Sequence, residues 1–359
     1  MNKTLLIMAG GTGGHVFPGI AVAKLWEERG GKVAWLGTLH GLDTKLVPPT
    51  GISYYQIAIT GLRGKGVKGY LLAPWKIFFA IIQSIRIMKQ VKPDVVLSMG
   101  GYVAGPGGIA AFLLRKPLVV HEQNSIPGTT NVILSMLAKK TLEAFPKSFG
   151  MAKHALWVGN PVRKDICDLP EPSNRLANRH GGRLNILVVG GSQGAQKING
   201  IIPEMLSLFD EKDRPQVWHQ TGEKHLASVE SLYQQYKMNA TIEPFIENMA
   251  EAFSWADLII CRSGALTISE IAAVGIGSIL IPFLFAVDDH QTQNARFLAQ
   301  AGAALILPEL TLTAEKLFQQ IHPLIEHREM IIRMAITARQ LAKPDAVEKV
   351  TDICLEVTQ

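Results

Sequence analysis

Cys261-Arg262-Ser263-Gly264-Ala265-Leu266-Thr267-Ile268-Ser269-Glu270 follows the short apolar run 256–260 and opens a segment in which apolar residues recur at helical spacing. The run predicts a buried strand, and the stretch after it predicts a helix. Ser263 and Gly264 would form a tight turn, whose free backbone N–H groups and positive helix end can hold a phosphate without a metal. Glu270 lies about one and a half turns into the helix, where a carboxylate can accept hydrogen bonds from a ribose diol. An ordinary connection, with Ser263 as N-cap and Glu270 as a solvated acid, fits equally well.

Two further strand–loop–helix units carry paired glycines, and each opens one half of the chain. Gly10-Gly11-Thr12-Gly13-Gly14 follows a predicted strand at 4–8. Gly190-Gly191-Ser192-Gln193-Gly194 stands 180 positions later, after a predicted strand at 185–189. A hydroxyl residue is third in each loop. The match indicates one fold used twice.

Strands alternate with helices along the chain, which predicts the α/β class with doubly wound parallel sheets. Other strands are predicted at 33–36, 54–59, 94–98, 118–120, 216–220, 240–243, 257–260, 278–282 and 303–307. Residues 157–182 lack apolar periodicity, so we place a hinge there, between Rossmann-like domains at 1–161 and 162–341. The C-terminal helix, about 342–359, is expected to pack back on the first domain. Both domains are expected to turn their strand ends toward one central cleft.

The composition fits a globular protein with more than one domain. A chain of 359 residues exceeds one ordinary core. Its three cysteines lie too far apart for a disulfide framework or a zinc site, and a reducing cytoplasm is the simplest setting. Residues 1–8 predict a strand and no signal peptide, and no apolar run reaches transmembrane length.

The net charge of +6 is unevenly placed. Residues 44–93 contain no acidic residue but eight lysines and arginines, with many aromatic and aliphatic side chains. A mobile glycine- and lysine-rich loop is predicted at 61–69, before a helix at about 70–91. An anionic membrane surface attracts such a segment. A core helix with a solvated basic face is the alternative, and no nucleic-acid-binding motif accompanies the charge.

The loop at 10–14 can bring backbone close to a ligand, because glycine accepts positive φ and carries no side chain. It lacks the third glycine of a dinucleotide fingerprint, where Val16 stands, and it lacks the lysine of a Walker loop. His15 follows the loop directly, before a helix expected to begin near Pro18. A neutral imidazole there can take a proton from an incoming hydroxyl, and a capping or packing histidine is the alternative.

Two further polar sites are Arg163 and the segment 288–294. Arg163 follows the hinge proline, where it would either pair with pyrophosphate oxygens or remain a surface arginine. The amides of the polar segment 288–294 would either contact sugar hydroxyls or belong to an N-capped loop. The adjacent Asp288 and Asp289 define no coordination geometry, so no metal is expected.

Seven short motifs are spread along the whole chain, in the order Gly10–Pro18, Gly100-Gly101-Tyr102, His121-Glu122-Gln123-Asn124, Gly159-Asn160-Pro161-Val162-Arg163, Gly190–Ala195, Arg262–Glu270 and Asp289-His290-Gln291. In this order they closely resemble the motifs of the MurG family of bacterial peptidoglycan glycosyltransferases. That family transfers N-acetylglucosamine from UDP-N-acetylglucosamine to undecaprenyl-pyrophosphoryl-MurNAc-pentapeptide (lipid I), which makes lipid II.

The resemblance implies a GT-B fold with no metal and no cofactor. It also implies peripheral attachment to the cytoplasmic face of the bacterial inner membrane, with other cell-wall synthesis proteins as further partners and no nucleic acid. By family analogy, Thr12, Gly13, Gly14 and Asn124 approach the donor sugar or the acceptor. Arg163, Ser192, Ser263, Gly264 and the segment Ala265–Glu270 would hold the UDP, with Ile246 near the uracil and His290 and Gln291 near the sugar.

The implied reaction is a single in-line displacement, because an α-linked donor gives a β-1,4 product without a covalent intermediate. His15 is the candidate base for the acceptor 4-hydroxyl, and Glu122 is the reserve. A UDP-N-acetylglucosamine 2-epimerase and a non-catalytic nucleotide-sugar scaffold are the alternatives. A nicotinamide dehydrogenase is disfavoured by the missing third glycine.

Overall fold

The computed structural model describes residues 2–61, 67–151, 154–177, 179, 182–190, 195–286 and 289–359. The chain forms two compact units, Met1–Arg163 with Lys343–Gln359, and Lys164–Ala342. Each unit contains one sheet, and all its paired strands are parallel. Parallel strands need crossover connections, and the helices supply them.

The first unit has a seven-stranded sheet in the order β3-β2-β1-β4-β5-β6-β7. Its strands are β1 Thr4–Ala9, β2 Lys32–Gly37, β3 Ser53–Gln56, β4 Val95–Gly100, β5 Leu118–Glu122, β6 Lys140–Glu143 and β7 Leu156–Trp157. Its helices are α1 Gly13–Glu28, α2 Asp43–Leu46, α3 Val67–Val91, α4 Ala104–Leu113 and α5 Thr129–Leu134.

The second unit has a six-stranded sheet in the order β10-β9-β8-β11-β12-β13. Its strands are β8 Asn185–Val189, β9 Gln216–Gln220, β10 Thr241–Glu243, β11 Leu258–Cys261, β12 Gly277–Leu280 and β13 Ala304–Ile306. Its helices are α6 Lys164–Cys167, α7 Pro172–Leu176, α8 Gln196–Ser207, α9 Leu226–Gln235, α10 Met249–Trp255, α11 Ala265–Val274, α12 His290–Ala299, α13 Ala314–Glu326 and α14 Arg328–Gln340. The last helix, α15 Ala346–Glu356, belongs to the first unit.

Alternate residues of β1 enter two separate cores, because successive side chains of a strand point to opposite faces. Leu5 and Ile7 pack with buried residues of α1 and with Val350 and Cys354 of α15. Leu6, with other residues of the opposite face, packs against α3 and α4. Both faces of the sheet are covered, which explains why β1 is a continuous apolar run instead of an alternating one.

The predicted α/β class with two parallel sheets is confirmed, and several boundaries differ. Helix α1 begins at Gly13, five residues before Pro18. Two strands of the first sheet, β6 and β7, were not predicted. Strand β3 ends at Gln56, short of the predicted 59. Of the loop predicted at 61–69, residues 62–66 lie outside the described residues and 67–69 are helical.

The segment predicted as a hinge packs into the second unit from Lys164 onward. Helix α7 contributes Arg175, whose guanidinium donates to the carbonyl oxygens of Phe253 at 3.2 Å and Ala256 at 3.0 Å. A third bond reaches the carbonyl oxygen of Gly275, which follows α11. The segment has few apolar residues and is held by the hydrogen bonds of one buried arginine, so its sequence shows no apolar periodicity.

Candidate active site

In the first unit, the glycine loop after β1 meets the turn after β4 at the carboxyl edge of the sheet. Gly11 and Gly101 have φ values of +94° and +83°, which L side chains rarely adopt. A Cβ atom at Gly101 would also overlap the carbonyl oxygen of Gly10. Glycine is therefore required at both turns, and it leaves bare backbone at this edge.

Asp43, in α2, is fully buried and connects the glycine loop to the end of β2. Its carboxylate accepts hydrogen bonds from the backbone N–H groups of Gly11 at 3.0 Å and Thr38 at 2.6 Å. It also accepts one from the hydroxyl of Tyr54 at 2.7 Å. Burial, and next the Asp43 carboxylate, raise the pKa of Tyr54, so the phenol stays a donor. Asp43 therefore holds the glycine loop in place.

His15 lies in the first turn of α1, and its ring is held by the residue that follows β5. The distance from His15 Nδ1 to Gln123 Oε1 is 2.8 Å. The ring also lies against Gly100, where a Cβ atom would come within 3.1 Å of His15 Cε1. The imidazole is thus held between the ends of β4 and β5.

Glu122 ends β5 and is almost fully buried. Its Oε1 accepts from the backbone N–H of Asn124 at 2.9 Å. Its Oε2 accepts from Asn131 Nδ2 at 2.8 Å and from the N–H of Gly128 at 3.1 Å. Both oxygens are thus engaged in holding the loop between β5 and α5. This geometry gives Glu122 a positioning role in that loop.

The other residues predicted for this unit lie close to the start of α1. Thr12 is the N-cap residue of α1, and Gly13-Gly14 forms its first turn. Asn124 is half-buried in the loop after β5. Arg163 is also half-buried, and its guanidinium carbon lies 5.6 Å from the centre of the Phe17 ring of α1. The first unit therefore gathers its predicted residues around one helix start and the neighbouring strand ends.

In the second unit, Ser263-Gly264 joins β11 to α11, as the sequence predicts. Gly264 is the N-cap residue, and a glycine has no side chain with which to cap the helix. Ser263 is fully buried, and its Oγ has no hydrogen-bond partner among the described residues. Its carbonyl oxygen accepts from Asn294 Nδ2 at 3.3 Å. The alternative interpretation of Ser263 as an N-cap is therefore wrong.

Glu270 lies in the second turn of α11 with an exposure of 9%, so the alternative interpretation of a solvated surface acid is also wrong. Its charge lies near Cys261 at the end of β11. Burial, and then this charge, raise the pKa of the Cys261 thiol. The second unit thus contains a buried carboxylate in the second turn of a helix whose N-cap residue is a glycine.

Arg262 makes structural contacts within the second unit. Its guanidinium donates to the carbonyl oxygen of Ile281 at 3.1 Å and forms an ion pair with Glu309. Burial alone would raise the pKa of Glu309, but hydrogen bonds from Arg262 and the Leu284 N–H lower it overall. Arg262 also lies 5.3 Å over the Phe283 ring. These contacts hold the loop after β12 in place, and the carboxylate of Glu309 balances the positive charge of Arg262.

The remaining predicted residues of the second unit lie at the start of α12, after β10, or outside the described residues. His290 and Gln291 begin α12, and Gln291 Oε1 accepts from the Phe283 N–H at 2.9 Å. Ile246 is buried, and its N–H donates to Gln220 Oε1 at 3.0 Å. Ser192 and Asp288 fall outside the described residues. Within the described part of the chain, no group of three His, Cys, Asp or Glu side chains is arranged to hold a metal.

Comparisons with known proteins match the chain over both units. The N-terminal domain model of glycosyltransferase family 28 matches residues 5–143, and the C-terminal domain model matches residues 185–350. The UDP-N-acetylglucosamine–N-acetylmuramyl-(pentapeptide) pyrophosphoryl-undecaprenol N-acetylglucosamine transferase of Marinobacter nauticus is 50% identical over 355 residues, which are 99% of this chain and 98% of that protein. The crystal structure of MurG from Acinetobacter baumannii is 42% identical and has a TM-score of 0.85 over 99% of both chains.

The chain belongs to the MurG family.

Membership of the MurG family confirms the resemblance carried by the seven motifs, and with it the GT-B fold of two Rossmann-like domains. The transferase of the same name from Nitrosococcus oceani is 48% identical over 99% of both chains. A UDP-GlcNAc 2-epimerase from Neisseria meningitidis has a TM-score of 0.68 over 99% of this chain and 100% of its own, at 13% identity. This second likeness concerns the fold alone and gives no support to the epimerase alternative.

Several polar residues of this MurG-type site were missed by sequence reasoning. Asp43 was signalled only by its place shortly after a predicted strand end. Gln123 and His121 stood in a motif, but no role followed from their residue types. Asn131 lies in a helix that was not predicted. His121 and Gln123 share one signal, a run of polar residues directly after the apolar strand 118–120.

Proposed function

We propose that this chain is an inverting glycosyltransferase that moves N-acetylglucosamine from UDP-N-acetylglucosamine to the 4-hydroxyl of MurNAc in lipid I, which forms lipid II for peptidoglycan synthesis. The full-length similarity to the Marinobacter nauticus transferase, at 50% identity, carries this conclusion. The geometry of the first unit supplies a fixed imidazole at the carboxyl edge of a parallel sheet, where such sheets bind ligands.

We further propose that His15 is the general base. As the acceptor 4-oxygen bonds to C1 of the donor sugar, its proton passes to His15, and the bond from C1 to the UDP oxygen breaks with its electron pair on UDP. A single displacement inverts the anomeric centre. Glu122 supports the loop that carries Asn124, and Thr12–Gly14 offer close backbone for the sugar or the acceptor.

The UDP site is proposed on the second unit. The N-terminus of α11 offers backbone N–H groups and a positive dipole end, and the Ser263 hydroxyl, buried and without a described partner, offers a further donor. Glu270 is placed for the ribose, Ile246 for the uracil, and His290 and Gln291 for the sugar. Arg163 and Ser192 would add donors to the leaving pyrophosphate.

A membrane-docking surface is proposed on α3. Among the described side chains of this helix, Leu72, Trp75, Phe78 and Phe79 are large, apolar and exposed. Lys76, Arg86 and Lys89 are exposed on the same helix, so an apolar patch lies among positive charges. None of the helices in the described part of the chain has the length and hydropathy to span a bilayer. Peripheral docking on anionic lipid, at the cytoplasmic face of the inner membrane, would bring the enzyme to its lipid-linked acceptor.

The decisive experiment is transfer of radiolabelled N-acetylglucosamine from its UDP donor to a short-chain lipid I analogue, with and without EDTA. We expect label in the lipid product at equal rates in both samples. His15→Ala should bind the donor normally and lose turnover by about a hundredfold or more. Tight donor binding by the wild-type chain without any transfer would overturn the transferase in favour of a nucleotide-sugar scaffold.

A further inference from the structure

Four groups at the end of the first sheet form a continuous chain of hydrogen bonds. The Gly159 carbonyl oxygen lies 2.9 Å from His121 Nε2. His121 Nδ1 lies 3.0 Å from Gln123 Nε2. Gln123 Oε1 in turn lies 2.8 Å from His15 Nδ1. The chain ends on the imidazole that the proposed function uses as its base.

The donor and acceptor of each bond can be assigned from the Gly159 carbonyl oxygen, which can only accept. A carbonyl oxygen only accepts, so the proton of His121 sits on Nε2, facing Gly159. Burial lowers the pKa of His121 to about 4, so near neutral pH this histidine carries a single proton. Its Nδ1 is therefore an acceptor, and Gln123 must point its amide nitrogen at it.

A second contact fixes the same orientation of the Gln123 amide. Gln123 Nε2 also donates to the His121 carbonyl oxygen at 3.2 Å, and this oxygen again can only accept. Gln123 is 1% exposed. Its backbone carbonyl oxygen accepts a hydrogen bond from Asn160 Nδ2 at 3.1 Å. Gln123 therefore has one orientation, with its oxygen toward His15. Because an amide oxygen is an acceptor, His15 Nδ1 must carry a proton.

We propose that Gln123 is a positioning residue that holds neutral His15 in the tautomer with its proton on Nδ1 and its lone pair on Nε2. The proposal rests on the role of His15 as base in the proposed function. A neutral imidazole takes a proton only at the nitrogen that carries the lone pair, so the opposite tautomer would present an N–H to the acceptor hydroxyl. His121 acts on His15 indirectly, because it fixes the orientation of the Gln123 amide.

The tautomer can be observed directly. In the protein labelled with ¹⁵N-histidine, the two ring nitrogens of each neutral histidine give separate NMR shifts for protonated and unprotonated nitrogen, and His15→Gln identifies the His15 signals by their loss. At pH 8 we expect His15 to show protonated Nδ1 and unprotonated Nε2. In Gln123→Met, which keeps the side-chain length and removes the amide, the Nδ1-protonated signal of His15 should be lost or reduced to a mixture.

Kinetics supply the second readout. Gln123→Met should lower kcat by about tenfold to a hundredfold, with KM for UDP-N-acetylglucosamine within twofold of wild type. Ser98→Ala is the matched control, because it removes a buried hydroxyl of β4 that has no partner among the described residues. It should change neither the His15 shifts nor kcat.

The two proposals fail in different ways. A wild-type chain that turns over with its His15 proton on Nε2 overturns the role of Gln123 and leaves the transferase in place. A Gln123→Met variant that keeps both the wild-type tautomer and the wild-type kcat does the same. A wild-type chain with the expected tautomer but no transfer overturns the proposed function instead. The wild-type spectrum decides the tautomer even if Gln123→Met does not fold.

Discussion

The carboxylate of Asp43 accepts a hydrogen bond from the backbone N–H of Gly11 at 3.0 Å, and so ties a short helix to the glycine loop 32 positions earlier. The same buried carboxylate holds the end of β2 through Thr38. No sequence motif joins these segments. A buried charge that loses its hydrogen-bond partners lowers the stability of the fold. A substitution at Asp43 therefore tests how the loop is held.

Asp43→Asn should loosen the glycine loop. The amide keeps the shape but turns an NH₂ group toward donors, so the free energy of unfolding should fall by about 2 to 4 kcal/mol. Turnover should fall as well, because His15 follows the loop directly. Urea unfolding and the transfer assay measure both. The control is Asp352→Asn, an exposed acid of the same unit paired with Arg29, which should cost under about 1 kcal/mol. Equal losses in both variants would contradict the role of Asp43.

Gly100→Ala should displace the His15 imidazole. Gly100 has a φ of +100°, and a Cβ there would press on the ring at 3.1 Å from Cε1. Gly51→Ala is the matched control, since its φ is +83° and no atom lies within 4 Å of the new Cβ. Both changes should cost about 1 to 2 kcal/mol of stability. Only Gly100→Ala should lower kcat, by about tenfold or more. Wild-type kcat in Gly100→Ala would show that the ring position does not matter.

Ser263→Ala should weaken donor binding without weakening the fold. The Ser263 hydroxyl is buried and has no partner among the described residues, so its removal should leave the unfolding free energy unchanged or slightly higher. One lost hydrogen bond to a phosphate should raise the Kd for UDP by about tenfold. The control is Ser278→Ala in β12, another buried hydroxyl without a described partner. Calorimetric titrations that give the same Kd for both variants would count against the UDP site at α11.

Buried histidines should make stability depend on pH. His219 accepts from or donates to Tyr233 and Asn199, both at 3.1 Å, and burial lowers its pKa to about 3 from 6.5. Between these values the unfolded chain binds the extra proton, so stability is complete above pH 6.5 and falls as the pH drops toward 3. Each such histidine contributes a loss of about 1.4 kcal/mol per pH unit well below pH 6.5.

Urea unfolding at pH 7.5, 6 and 5 measures this slope. His219→Gln should be less stable than wild type at pH 7.5 but should lose less stability on acidification. The exposed His40 provides the control, and His40→Gln should keep the wild-type slope. A slope in His219→Gln as steep as that of wild type would remove His219 from the explanation.

The sequence was sufficient for the fold because its strongest signals are local. Continuous apolar strands and repeated double-glycine turns define the two parallel sheets. It placed the start of α1 too late, because two glycines have low helix propensity whereas Pro18 is a typical first-turn residue. Strand β6 was missed because Lys140–Glu143 has neither an apolar run nor clean alternation.

The contacts of the site were beyond the sequence for a different reason. His15 and Gln123 are 108 positions apart, and Gly11 and Asp43 are 32 apart. Residue type predicts that a histidine can act as a base, but its partner depends on which strand ends become neighbours. That information lies in the strand order, in which β1 pairs with β4 and β4 with β5.

The exposed face of α3 should bind anionic membranes through its aromatic side chains. Trp75 and Phe79 are 63% and 58% exposed, one turn apart, and burying two such side chains in a lipid interface contributes several kcal/mol. The double variant Trp75→Ser with Phe79→Ser should therefore lose sedimentation with vesicles of phosphatidylglycerol and phosphatidylethanolamine by about tenfold or more. It should keep turnover on a water-soluble acceptor analogue, because α3 does not carry the catalytic groups. Leu310→Ser, which removes an apolar side chain that is 74% exposed in the second unit, is the control and should sediment like wild type. Undiminished sedimentation of the double variant would show that the α3 aromatics do not bind the membrane.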